Sequence, residues 1–305
     1  MSRTLEEVLK QRGIPHRSNV SAATLCTFRI GGNARLVIEP QCKGELIAAV
    51  ELCQVFRRPF AVIGKGSNLL FDDGDIQTAL IRTTSLDTVR VLADGCVWAD
   101  CGASLGTLTA TAARAGLAGI SFACGIPGTV GGALYMNAGA HGKSMLDCVR
   151  TVEIWDLDAH KTETLFNHQL NNSYRNSDFQ SKNAVILGAS LALWPHADPA
   201  SIFAEMNAFL RKRNATQPTG VPSAGSAFRR PAPDVPLSRM LDELGLKGLR
   251  VGDAMVSPKH AGFIVNAGSA TARDVRELME KIQNIVEREK GFRPVSEIRR
   301  IPEDV

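Results

Sequence analysis

Gly125-Ile126-Pro127-Gly128-Thr129-Val130-Gly131-Gly132-Ala133 is the stretch on which the reading of this chain turns. Four of its nine residues are glycine, and each glycine in a helix interior costs about 1 kcal/mol relative to alanine. Val130 and Ala133 nevertheless keep the stretch partly apolar, so it is not a flexible linker. So many glycines suit a close approach of backbone to a flat or phosphorylated ligand. A cluster of purely structural turns is the competing reading. The theme continues in Met136-Asn137-Ala138-Gly139-Ala140, and residues 119–142 as a whole hold too much glycine for one regular element.

Upstream, residues 60–63 form a short apolar run that reads as a buried strand. It enters a second glycine loop, Gly64-Lys65-Gly66-Ser67-Asn68, followed by Leu69. Glycines allow successive backbone N–H groups to turn toward an anion, and Ser67 and Asn68 add side-chain hydrogen bonds. The loop is not a GxxxxGK[ST] phosphate loop. Leu69 at its sixth position also excludes the GxGxxG dinucleotide fingerprint. Taken alone, a plain tight turn explains it equally well.

Working outward, the spacing predicts helices over residues 5–10 and 45–56, and strands over 30–40, 79–82, 88–92 and 96–100. Ser104 is a fitting N-cap for a helix that reaches Ala115 and stops at Gly116. Residues 149–155 and 184–194 read as strands separated by a turn-rich segment. After Pro195, residues 200–213 look helical, and the Pro/Gly/Thr-rich segment 216–222 is the best boundary-like feature in the chain. A helix over 236–244 and a strand over 261–266 follow. The clearest helix starts at Thr271 with Asp274 three positions on, a capping-box spacing. Its apolar stripe is Val275, Leu278, Met279, Ile282, Ile285 and Val286, and Gly291 closes it. Short strands and segregated helices, without regular βαβ alternation, indicate an α+β protein and argue against a doubly wound sheet.

The bulk numbers agree. At roughly 100–200 residues per domain, 305 residues give two or three domains. Apolar content of 44% and charged content of 22% are those of a globular chain. The net charge of +4 comes without a dense Lys/Arg block interleaved with aromatics, so no nucleic-acid partner is expected. Seven cysteines, an odd number without a CxxC pair, suggest small core residues in a reducing compartment rather than a disulfide framework. The N-terminal stretch is charged and helix-like, and no run of about 18 apolar residues occurs. The expectation is a cytoplasmic protein without signal peptide or membrane span.

Three polar sites in the second half could do chemistry. In Tyr174-Arg175-Asn176-Ser177, an Arg beside a turn can grip a carboxylate or phosphate bidentately. In Pro222-Ser223-Ala224-Gly225-Ser226-Ala227-Phe228, two serines bracket Gly225 in a loop. A serine there could give a proton to a strongly basic carbanion or enolate, or merely cap a turn. Glu297, in Ser296-Glu297-Ile298-Arg299, reads by itself as solvent-exposed. His16, His141, His160, His168, His196 and His260 are scattered and HExxH is absent, so no metal is expected. GxSxG is absent too, which disfavours a serine hydrolase.

Taken together, these segments resemble the MurB family of UDP-N-acetylenolpyruvoylglucosamine reductases from about residue 27 to the end. Thr27-Phe28-Arg29-Ile30-Gly31-Gly32-Asn33-Ala34 is similar to the family's TFxIGGxA. Residues 64–70 resemble its GxGSNLL flavin loop and residues 125–139 its GIPGxxGGAxxMNAG. Tyr174-Arg175, the PSAGSxF of 222–228, the GLKG of 245–248, residues 256–266 and Glu297-Ile298-Arg299 follow in family order. Arg175 lies 51 positions before Ser226, a short interval that matches the branch lacking an extra tyrosine loop. Gly262 stands where many relatives have Asn, and Arg229-Arg230 follow Phe228 where another branch has Lys-Asn.

The resemblance implies an FAD-binding domain of the vanillyl-alcohol-oxidase (PCMH) type in two lobes over residues 1–195. A C-terminal α+β substrate-binding domain would occupy 196–296, and a segment at 297–305 would carry the catalytic Glu. It implies non-covalent FAD, NADPH as hydride donor and UDP-GlcNAc-enolpyruvate as substrate. Arg175 matches the active-site Arg, Ser226 the proton donor and Glu297 the active-site Glu. The flavin contacts would be Gly64, Lys65, Gly66, Ser67, Asn68, Leu69, Gly125, Ile126, Pro127, Gly128, Thr129, Gly131, Gly132, Asn137 and Gly139. Tyr174, Arg230 and His260 would contact substrate. The implied role is an oxidoreductase of peptidoglycan synthesis. It would serve cell-wall biogenesis, cell shape, cell division and the cell cycle in the cytoplasm; a monomer is the default expectation, with the oligomeric state not read from the sequence. Two other readings stay open: a different FAD-dependent oxidase on the same scaffold, and a non-catalytic nucleotide-sugar binder.

Overall fold

The computed structural model describes residues 3–232 and 235–304. Helices and short strands are segregated as an α+β chain requires, in two compact units. The first gathers Met1–His16, Ile38–Lys65 and Leu80–Lys212; the second gathers Arg17–Val37, Gly66–Ala79 and Arg213–Val305.

In the first unit the core is a five-stranded antiparallel sheet. Its order is Lys161–Phe166, Val149–Asp156, Ala184–Ala192, Cys96–Asp100, Val89–Val91. The central strand is buried along nearly its whole length. That explains its continuous apolar run, since both faces are covered. Ser104 caps Leu105–Arg114 as expected, its hydroxyl accepting the Thr107 N–H at 2.9 Å. Pro199–Thr216 extends the expected helix at both ends. Ile202 and Met206 of that helix pack on Ala113.

In the second unit, a four-stranded antiparallel sheet runs Ser223–Ser226, Phe263–Asn266, Ala254–Val256, Arg250–Val251. The helix Ala272–Lys290 has the expected Thr271–Asp274 capping box, and Gly291 ends it. Val275, Leu278, Ile282 and Val286 of its stripe are buried. Arg299–Ile301 lies parallel to Leu69–Phe71, pairing Arg299 with Leu69 and Ile301 with Phe71.

Several elements differ from the sequence reading, and three of them show why. Lys161–Phe166 is a strand inside the segment read as turns. Only Leu165 in it is buried, so it carries no alternation and forms because it pairs with Val149–Asp156. Val130–Tyr135 is a helix within the glycine-rich region, nucleated by its Thr129 cap despite Gly131 and Gly132. Ser223–Ser226 is a strand rather than a loop, with a register irregularity between its two ends. Gly225, at φ 78°, takes the left-handed conformation that this irregularity needs.

The seven cysteines are free, and all but Cys42 and Cys124 are buried. Burial pushes the Cys53 and Cys101 thiols up to about 12. Their packing role accords with the core reading, while Cys42 is on the surface.

Candidate active site

The first unit brings one set of candidate residues together. The strand Phe60–Ile63 delivers Gly64 against Thr129. A Cβ on Gly64 would lie 2.2 Å from Thr129 Oγ1, so this close approach admits only glycine. Thr129 Oγ1 accepts the Gly132 N–H at 3.4 Å, fixing the first turn of Val130–Tyr135. The chain then reaches Asn137, which is 3% exposed and has φ 40°. Its side chain clamps two segments: Nδ2 donates to Ser173 O at 3.0 Å, and Oδ1 accepts the Leu146 N–H at 3.2 Å.

Ser173 belongs to a small hairpin in which Asn172–Ser173 pairs with Asn176–Ser177. Tyr174 and Arg175 are its two loop residues. Arg175 has φ 57° and donates from Nη2 to Gly139 O at 3.3 Å. Its guanidinium stacks over the Tyr174 ring at 4.9 Å. Gly64, Thr129, Gly132, Asn137, Gly139, Tyr174 and Arg175 thus form one connected cluster. Gly125, Ile126, Gly128 and Gly131 are half-buried, and Lys65, Pro127 and Gly132 are exposed.

The second unit brings together another set. Gly66 O accepts the N–H groups of Thr27 at 3.3 Å and Leu69 at 3.4 Å, which shapes the turn through Ser67 and Asn68. Asn68 Nδ2 donates to Glu297 O at 2.9 Å, and Asn68 O accepts the Arg299 N–H at 2.9 Å. Glu297 N–H donates to Ala227 O at 2.9 Å, and Ala227 N–H donates to Gly262 O at 2.9 Å. Ser226 pairs with Phe263 in the same ladder. Asn68, Glu297 and Ser226 are therefore tied by an unbroken run of main-chain contacts. Glu297 is only 9% exposed, which corrects the reading of it as a solvated residue. The parallel strand Arg299–Ile301 explains the burial, and nothing in a single terminal Glu signals such a strand.

His260 packs its ring edge-on against Phe263 at 5.0 Å, and its Nδ1 accepts the Gly262 N–H at 3.2 Å. Burial holds its pKa below the ordinary value. Lys247 pushes the same way, while its own backbone hydrogen bond and Asp242 oppose. With Nδ1 accepting, Nε2 is the donor end of the neutral ring, the form that burial favours. Arg230 is exposed beside Arg229, whose N–H donates to Val295 O at 2.9 Å.

Sequence reasoning missed the residues that hold these groups in place. Gln180 donates from Nε2 to Tyr135 O at 2.9 Å and Arg175 O at 3.1 Å. Ser177 Oγ donates to Tyr135 O at 2.7 Å. Asn266, 7% exposed, accepts the Ala270 N–H at 3.0 Å and donates to Phe28 O at 3.4 Å. A hydroxyl side chain two residues beyond the turn is a local signal for Ser177, and Gln180, whose partners are main-chain carbonyls, has none. Asn266 has no comparable local signal.

The donor set suits a phosphorylated flavin. Residues 64–69 and 125–139 contain no carboxylate, and they supply glycine backbone, hydroxyls, amides and one lysine. A dinucleotide diphosphate is recognised by such donors. Among the described residues, no group of three or more His, Cys, Asp and Glu could hold a metal ion. No helix among them is long and apolar enough to cross a membrane.

Comparison with known proteins agrees with this architecture. Residues 34–164 match the FAD binding domain family, and residues 217–301 match the UDP-N-acetylenolpyruvoylglucosamine reductase, C-terminal domain. The chain is 40% identical over 286 residues to the UDP-N-acetylenolpyruvoylglucosamine reductase of Parasynechococcus marenigrum, covering 93% of this chain and 95% of that one. It is 42% identical over 267 residues to the reductase of that name in Pseudothermotoga lettingae, covering 87% of this chain and 90% of that one. The crystal structure of UDP-N-acetylenolpyruvylglucosamine reductase (MurB) from Thermus caldophilus superposes with a TM-score of 0.80. That pair is 33% identical, and the match covers 95% of this chain and 99% of the other. The fold and site thus define an FAD-binding oxidoreductase with a dedicated C-terminal domain. Within that class, the chain belongs to the UDP-N-acetylenolpyruvoylglucosamine reductase (MurB) family.

Proposed function

We infer that this chain reduces the enolpyruvyl double bond of UDP-GlcNAc-enolpyruvate to give UDP-N-acetylmuramate. FAD, bound non-covalently, supplies the hydride, with NADPH as its source. The observation that carries the reading is the ladder that holds Ser226 and buried Glu297 on adjacent segments. It occurs in a chain that matches the family over almost its full length.

Hydride addition leaves negative charge on the carbon beside the substrate carboxylate, as an enolate. The Arg175 guanidinium holds that carboxylate and spreads the charge. Ser226 Oγ–H gives its proton to the carbon, which is basic enough to take it, and solvent restores the hydroxyl. Glu297 orients the carboxyl end.

In this reading Gly64, Lys65, Gly66, Ser67, Asn68 and Leu69 hold the flavin. Gly125, Ile126, Pro127, Gly128, Thr129, Gly131, Gly132, Asn137 and Gly139 complete its contacts, and Tyr174, Arg230 and His260 contact the nucleotide sugar. The functional regions are 1–195 for flavin, 196–296 for substrate and 297–305 for the catalytic Glu. The protein works as a cytoplasmic monomer in peptidoglycan precursor synthesis, and through it in cell-wall biogenesis, cell shape, cell division and the cell cycle.

An anaerobic absorbance titration tests this. NADPH should bleach the flavin, and UDP-GlcNAc-enolpyruvate should then restore its colour. A flavin that bleaches without recovering rejects the substrate and leaves another oxidase of the same scaffold. A protein that cannot be reconstituted with FAD rejects the reading in favour of a nucleotide-sugar binder.

A further inference from the structure

Arg175 is the second residue of a two-residue hairpin loop, and its φ of 57° lies in the left-handed region. Loops of this length favour glycine or asparagine at such a position, because a Cβ crowds the neighbouring carbonyl there. A side-chain-bearing residue stays in that conformation only where its surroundings over-determine it. The surroundings here are specific. Gln180 Nε2 directs one proton to Arg175 O at 3.1 Å and the other to Tyr135 O at 2.9 Å. Both partners are carbonyl oxygens, so only the NH2 end of the amide can face them.

Tyr135 is the last residue of the helix that starts behind Thr129, and its carbonyl also receives Ser177 Oγ–H at 2.7 Å. Gln180 itself sits half-buried at the end of the short turn Asp178–Gln180. The turn is fixed in its own right, because Asp178 Oδ2 accepts the Asn171 N–H at 2.9 Å across the base of the hairpin. The amide therefore joins two rigid points to the main chain of the strained residue. It touches the Arg175 carbonyl and not the guanidinium, so it sets where the side chain departs without altering its charge.

We propose that Gln180 is a positioning residue for Arg175: its amide locks the loop so that the guanidinium stays aimed at the substrate carboxylate. The proposal rests on the Arg175 role given above.

The test uses the FAD-loaded protein. Gln180→Met keeps the length and removes the donors, whereas Gln180→Lys restores donors of similar reach. Misplacing a substrate-holding group by about an ångström can cost on the order of a hundredfold. Gln180→Met should therefore raise KM, and the Kd read from the substrate-induced change in flavin absorbance, by about tenfold or more. Flavin reduction by NADPH and FAD content should remain those of the parent. Gln180→Lys should recover most of the affinity. In an Arg175→Ala background, Gln180→Met should add no further loss, since the group it positions is gone.

The proposal is overturned if Gln180→Met leaves substrate Kd unchanged while Arg175→Ala raises it. It is also overturned if Gln180→Met weakens the Arg175→Ala protein further, or if flavin reduction by NADPH falls in parallel. Arg175→Ala binding substrate normally would instead reject the Arg175 assignment, and the positioning role with it.

Discussion

The Tyr174-Arg175 hairpin and the Ser223–Ser226 strand each present a reactive side chain, and they hold it by opposite means. Arg175 sits in a left-handed loop position tethered by side chains: Asn137 to Ser173, Ser177 and Gln180 to Tyr135, Gln180 to Arg175. Ser226 sits in a main-chain ladder that runs through Phe263, Gly262 and Ala227 to Glu297, and Arg299 N–H continues it to Asn68 O. A ladder depends on backbone groups that every residue but proline carries. A tether depends on one particular side chain. The hairpin should therefore be fragile to single substitutions around it, and the strand robust to everything except loss of the reactive group itself.

The largest effect expected is at that group. Ser226→Ala should leave flavin reduction by NADPH intact and slow flavin reoxidation by substrate by roughly 10²–10⁴-fold, the usual range for a lost proton donor. Stopped-flow absorbance of the two half-reactions decides it, and equal slowing of both would sink the proton-donor role.

The comparison itself is tested by Asn137→Ala against Thr27→Val. Asn137→Ala strands the buried Leu146 N–H and loosens Ser173, so it should cost about 1–3 kcal/mol of unfolding free energy. Thr27→Val removes one hydrogen bond, from Oγ1 to Ser223 O at 2.7 Å, but leaves the ladder intact. It should cost about 1 kcal/mol and barely change the serine-dependent half-reaction. Denaturant melts that rank the two in reverse would break the distinction between tether and ladder.

The smallest effect is on pH dependence. His260 is held below its ordinary value of 6.5, mainly by burial, so the unfolded chain takes up a proton first as pH falls. The stability given by the neutral ring is complete above 6.5 and is lost as pH falls from there toward the depressed folded value. His260→Gln should flatten that loss. Urea midpoints at about pH 7.5 and pH 5 measure it, and an unchanged slope would show that His260 is hydrated in the native state.

What the sequence disclosed follows the same division. The capped helix Ala272–Lys290 and the strand Phe60–Ile63 were legible because local periodicity and end signals determine them. Lys161–Phe166 was not, since it exists through pairing and buries one side chain. Arg175, Ser226 and Glu297 could be picked out as chemically able residues, and family order gave them expected roles. The burial of Glu297 was hidden, because it comes from a parallel strand pairing with Leu69–Phe71. Gln180 was hidden for a different reason: its partners are carbonyls, which leave no mark on residue type.

Asn68 and Glu297 are joined across 229 positions of chain. During synthesis, at about 5–20 residues per second, the loop segment would wait on the order of ten to fifty seconds for its partner to leave the ribosome. Every strand of the five-stranded sheet, from Val89 to Ala192, is made within that interval, before the residues from Arg213 on that complete the unit to which Gly66–Ala79 belongs. Synthesis thus orders the two units in time, and a chain that stalls before its last strand has made every residue of the first unit but lacks the Glu297 and Arg299 partners of Asn68.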